Sequence, residues 1–100
     1  MSEARRIEIL VDRPLLRRVT AAADAAGVTN YALLPTLGGR SGEDRWADDQ
    51  LTGATDRVLF STVLAAAKAD ALVAALTPLL DSHDLLLTIT TVEVVRGSRF

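Results

Sequence analysis

The spacing at which apolar residues recur switches back and forth along this chain, and the order of those switches constrains the fold more than any motif does. From Arg6 to Val11 the apolar residues alternate, with Ile7, Ile9 and Val11 on one side, the period of a half-buried strand. Asp12 and Pro14 then supply a helix start. Leu15, Leu16, Val19, Ala22, Ala23 and Ala26 follow at helical spacing, and Gly27 supplies a stop. Val28 to Leu37 reads as a second strand that Asn30 interrupts, with Pro35 marking an edge or a bulge. A third strand covers Arg57 to Leu64. Leu72, Leu76, Leu79 and Leu80 mark a second helix, bent or shortened at Pro78 and ending near Asp81. After the turn Ser82, His83, Asp84, the run Leu85 to Val95 is rich in leucine, threonine and valine and reads as the longest strand.

The resulting order, β-α-β-β-α-β, predicts an α+β, ferredoxin-like fold: an antiparallel sheet with two helices on one face. A length of 100 residues suits a single domain over 1–100. The last strand carries aliphatic groups on both sides, with Leu85, Leu87 and Ile89 on one and Leu86, Val92 and Val94 on the other. Two helices cover only one sheet face, so the other is expected to be an interface between copies of the chain.

Composition excludes several classes. Hydrophobic residues make up 49% and charged residues 24%, a globular mixture. A net charge of -2 gives no general attraction to nucleic acid, and only small arginine pairs interrupt it. The chain has no cysteine, which removes disulfides, thiolate metal sites and cysteine nucleophiles and fits a reducing compartment, the cytoplasm by default. The opening residues MSEARRIEIL carry charge where a signal peptide needs its apolar stretch. No apolar run approaches a membrane span, so export and membrane insertion are not expected.

The stretch from Gly38 to Thr55, GGRSGEDRWADDQLTGAT, lacks apolar periodicity and is rich in glycine and charge, so it reads as a long loop over about 38–55. Long loops inside compact domains are usually functional or disordered, which makes this the first place to look for a site. Gly38 and Gly39 directly after a strand let backbone N–H groups approach an anion, with Arg40 and Arg45 able to bond phosphate or a smaller oxyanion; glycines at a strand exit also serve plain turns. The spacing is not that of a Walker A loop, since no GK[ST] follows. Trp46, the only tryptophan, suits a switch element, a base-stacking surface, a partner contact or packing on its own domain. Asp48 and Asp49 invite a metal, yet neighbouring loop carboxylates are more often solvated, and no metal is assigned. Near the end, Arg96 and Arg99 flank a glycine and would reach a phosphate only if a neighbouring subunit lies close. His83, the sole histidine, reads as a capping or solvent-facing group. No nucleophile, base and orienting partner assemble by spacing, so no catalytic residue is assigned.

The order of elements, the segment LGGRSGEDRWADDQLTGA and the ending VEVVRGSRF together resemble the PII superfamily, and more closely its PII-like branch linked to inorganic-carbon metabolism and carboxysomes in bacteria. The resemblance spans almost the whole chain. It implies a homotrimeric, non-enzymatic signalling protein that needs no cofactor and binds ADP, AMP or ATP in clefts between subunits, with bicarbonate as a second small ligand. It further implies that the long loop changes conformation and engages a regulated protein, such as a transporter or a carbon-metabolism enzyme. By position, Gly38 and Gly39 match the base of the family's mobile loop, Arg40 and Arg45 lie within it, and Arg96 matches a phosphate-contacting residue leaving the last strand; Arg99 is a looser match. The chain departs from other PII proteins in having only Asp81-Ser82-His83-Asp84 where they carry a glycine-rich phosphate loop, and in lacking the loop tyrosine some of them modify. Together these departures speak against triphosphate binding, 2-oxoglutarate signalling and uridylylation, and favour a shorter nucleotide or a different effector. Two other readings share the fold: an effector-binding or oligomerising ferredoxin-like module, and a small ferredoxin-like barrel enzyme using His83.

Overall fold

Every second residue of the segment Arg57–Leu64 is buried, and the residues between are half-exposed, which is what a strand does when one of its faces meets a core. This strand, β5, belongs to a four-stranded sheet. The computed structural model describes residues 1–47 and 56–96. Within them the elements run β1 (Ser2–Asp12), a 3-10 turn (Arg13–Leu15), α1 (Leu16–Ala25), β2 (Ala32–Pro35), β3 (Gly38–Ser41), β4 (Asp44–Ala47), β5 (Arg57–Leu64), α2 (Ala66–His83) and β6 (Leu87–Val94).

The main sheet has the order β2-β5-β1-β6, and every neighbouring pair is antiparallel. This is the ferredoxin-like arrangement that the order of apolar periods predicts. Ile7, Ile9 and Val11 of β1 and Val58, Phe60 and Leu64 of β5 form one buried layer. Val19 and Ala23 of α1 and Leu72, Leu76 and Leu79 of α2 close over it. Thr62 is the one buried polar residue of this layer among the described residues, and its hydroxyl donates to the Asn30 carbonyl oxygen at 2.6 Å. No helix among the described residues is long and apolar enough to cross a membrane.

Several boundaries differ from the sequence reading. The second strand starts at Ala32, four residues later than expected, because Val28 belongs to the cap of α1. The Gly27 N–H returns to the Asp24 carbonyl at 3.1 Å and the Val28 N–H to the Ala23 carbonyl at 2.9 Å, a pair of bonds that ends a helix and tucks Val28 into the core. Pro35 closes this edge strand, the place in a sheet where a residue without an N–H is tolerated. Helix α2 runs through Pro78 to His83 instead of ending near Asp81. Pro78 and Ala74, whose carbonyl loses its partner, both lie on the exposed side of the helix, where water can replace the bond. The longest strand is β1, with 11 residues, while β6 has 8, because the Leu85 N–H is drawn back to the Leu80 carbonyl at 3.2 Å.

The largest difference lies in the segment expected to be a loop. Its first ten residues form the β3–β4 hairpin, a separate two-stranded sheet. The turn is two residues long, and Gly42 takes a φ of +63° that a side chain resists, as the first central position of a tight hairpin turn requires. Residues 48–55, with Asp48 and Asp49, and residues 97–100, with Arg99, lie outside the described residues.

Candidate functional site

A two-stranded hairpin is marginal in water unless it packs against something, and here a single side chain supplies the packing. Trp46 is 8% exposed. Register pairs it with Gly39, and a Cβ on Gly39 would fall among the carbons of the indole ring, so glycine at this position lets the ring lie on the opposing strand. A Cβ on Gly38 would press on the Trp46 carbonyl oxygen. Both glycines therefore have a packing role, whatever else they contact.

Two contacts of Trp46, with Thr36 and with Arg57, join the hairpin to the main sheet, and both partners are themselves bonded there. The Trp46 Nε1–H donates to the Thr36 hydroxyl at 2.9 Å, and that hydroxyl donates to the Arg57 carbonyl oxygen at 2.7 Å. The Arg57 guanidinium carbon lies 4.3 Å from the centre of the indole ring, within cation–π range. Its Nε donates to Asp12 Oδ1 at 2.9 Å, and Asp12 and Arg57 are direct cross-strand partners at the end of the sheet.

Beneath the hairpin tip, on the sheet face that the helices leave open, lies a cleft of about 680 Å³, within the range of small-ligand sites. Three parts of the chain enclose it. The hairpin contributes Arg40, Ser41, Gly42 and Asp44; the sheet contributes Glu8, Leu10, Asp12, Arg57, Leu59 and Thr88; the α2–β6 turn contributes His83 to Leu86. Asp84 holds the left-handed conformation at φ +51° that ends α2 and turns the chain into this wall. The His83 Nδ1 is 2.7 Å from the Ser82 hydroxyl, a local contact between exposed groups.

Of the six residues singled out from sequence, Arg40 is in the cleft, with its Nε donating to the Gly42 carbonyl at 2.7 Å. Arg45 is its cross-strand partner, so two guanidinium groups share one face of the hairpin. Gly38 and Gly39 lie at the hairpin base under Trp46. Arg96 follows β6, whose end pairs with the start of β1. It is at the far end of the sheet from Arg40, roughly 30 Å away by strand rise. One chain therefore does not bring Arg40 and Arg96 together. Sequence reasoning missed Asp12, Arg57 and Glu8; only the β1–β5 register, which no local spacing reveals, puts Asp12 beside Arg57. The open face is also more mixed than expected, because Thr88 and Thr90 of β6 and Glu8 of β1 share it with Leu10 and Leu59.

No family model matches the chain, and no curated protein matches it. Solved structures do. CPII, a nitrogen regulatory PII-like protein from Thiomonas intermedia K12 bound to ADP, AMP and bicarbonate, superposes with a TM-score of 0.84 at 16% identity, covering 95% of this chain and 91% of that one. A protein from Thermus thermophilus described as PII-like and signalling gives 0.82 at 17% identity, covering 98% and 95%. The B. subtilis GlnK–ATP complex gives 0.64 at 13% identity, covering 92% and 84%. The two helices, the β2-β5-β1-β6 sheet and the hairpin that leaves its end thus make up the fold of the PII-like proteins.

Proposed function

We propose that this chain is a PII-like signalling protein that binds an adenine nucleotide, ADP or AMP, in clefts completed by a second copy of itself. The observation that carries this reading is the charge of the cleft. Among the described residues of one chain, Glu8, Asp12, Asp44 and Asp84 line it against only Arg40 and Arg57, too few cations to hold a phosphate amid four carboxylates. A neighbouring copy whose sheet end meets this cleft supplies Arg96, and Arg99 beyond it. The opposed Arg40 and Arg45 support the same reading, since like charges directly across a ladder disfavour pairing until an anion offsets them.

The ligands of proteins with this fold agree. CPII is described with ADP and bicarbonate, and with ADP, AMP and acetate. Bicarbonate is accordingly the second small ligand proposed for this chain, and a homotrimer the proposed assembly, with no cofactor and no catalytic step. The β3–β4 hairpin is the segment offered to a regulated protein, such as a transporter or a carbon-metabolism enzyme. Calorimetric titration of ADP into the wild type, Arg40→Ala and Arg96→Ala tests the site. Each variant is expected to weaken binding by about tenfold without changing the oligomeric mass. Unchanged affinity in both would remove the proposed site.

A further inference from the structure

We infer that Arg57, which neither spacing nor resemblance singled out, is the oxyanion-reading residue of the cleft, and that Trp46 transmits its occupancy to the hairpin. The identity of the ligand rests on the nucleotide reading above, and the mechanism rests on geometry. Arg57 stands at the start of β5, a strand paired on both sides, so its backbone is fixed. Its side chain is 20% exposed and lines the cleft. The Asp12 bond uses Nε, and the remaining donors of the guanidinium are on the Nη nitrogens, arranged as the fork that suits phosphate, carboxylate or bicarbonate oxygens.

What holds Arg57 in its present pose is weak. Asp12 is 45% exposed, so its attraction is screened by solvent, and the indole face adds only a cation–π contact. An oxyanion in the cleft competes with both for the same guanidinium. When Arg57 turns to the anion, the indole loses the cation stacked on it, and the hairpin loses one of its few ties to the sheet. Occupancy of the cleft is thereby read out as the docking of β3 and β4. Trp46 is the only tryptophan in the chain, so its emission reports this event without interference.

A nucleotide phosphate and free bicarbonate can each supply the oxyanion, and the experiment separates them. Tryptophan emission and calorimetry are followed while ADP, bicarbonate or adenosine is added to the wild type, Arg57→Gln, Arg57→Lys and Asp12→Asn. In the wild type, ADP or bicarbonate shifts the emission and adenosine does not. Arg57→Gln weakens the responsive anion by about tenfold or more and abolishes the shift, and Arg57→Lys recovers part of the affinity. Asp12→Asn tightens binding about two- to fivefold, because it removes the competing carboxylate, a gain that damaged folding does not mimic. Equal affinity in the wild type and Arg57→Gln overturns the inference while leaving nucleotide binding standing. Weaker binding in Asp12→Asn, or anion binding that leaves emission unchanged, also overturns it. A wild type that binds neither ADP nor bicarbonate overturns both this inference and the reading beneath it.

Discussion

Arg57 stacks on Trp46 at 4.3 Å, and this contact joins the first residue of a central strand to the only large apolar side chain of the hairpin. The hairpin has no core of its own, so its order depends on that indole. Trp46→Ala is expected to raise hydrogen exchange in the amides of β3 and β4 close to unprotected rates, with β1 and β5 unchanged. Exchange mass spectrometry checks this. Retained protection in β3 and β4 would mean that other contacts hold the hairpin.

Gly39→Ala should reproduce that loss by a different route. The added methyl occupies the space of the indole ring, so Trp46 must leave its seat and its bond to Thr36. The near-UV circular dichroism of the single tryptophan is expected to collapse, with far-UV signal largely kept. Gly42→Ala, by contrast, meets no neighbour and strains only the turn, at about 1 kcal/mol. It should keep the tryptophan signal.

Phe60 is fully buried at the centre of β5 and stacks on Tyr31 with ring centroids 5.1 Å apart. Phe60→Ala is expected to cost about 3–5 kcal/mol, a large part of the stability of a small domain. Urea unfolding at fixed protein concentration measures it. A cost below about 1 kcal/mol would contradict the packing described here.

Asp84 sits in the left-handed region at the end of α2. A β-branched residue there meets the full steric penalty, so Asp84→Val should destabilise by about 1–2 kcal/mol, whereas Asp84→Gly should be neutral or stabilising. Thermal unfolding checks this: a lower midpoint for Asp84→Val with an equal or higher one for Asp84→Gly is expected, and a comparable fall in both would contradict it.

The contrast between what is and is not legible in the sequence follows from where burial acts. Ile7, Ile9 and Val11 alternate because one face of β1 must meet the core, and Leu72, Leu76 and Leu79 keep helical spacing for the same reason, so sheet and helices can be read directly. The hairpin shows no such pattern. Apart from Trp46 and the half-buried Ala47, its strand residues are exposed, and no alternation is imposed on them. Val28 reads as strand because it is apolar and follows Gly27; its role in capping α1 depends on two backbone bonds that leave no mark on residue type. Arg40 is visible because a cation among glycines after a strand is a local signal. Asp12 and Arg57 are not, since 45 positions separate them and only the register of β1 on β5 joins them.

The central claim is that the cleft is finished by another copy of the chain and takes an adenine nucleotide there. Native mass spectrometry of the purified protein with ADP tests both halves at once. The expected species is three chains of 10.7 kDa each, carrying up to three ADP molecules whose adducts diminish in Arg96→Ala. A single 10.7 kDa chain with no ADP adduct would contradict it.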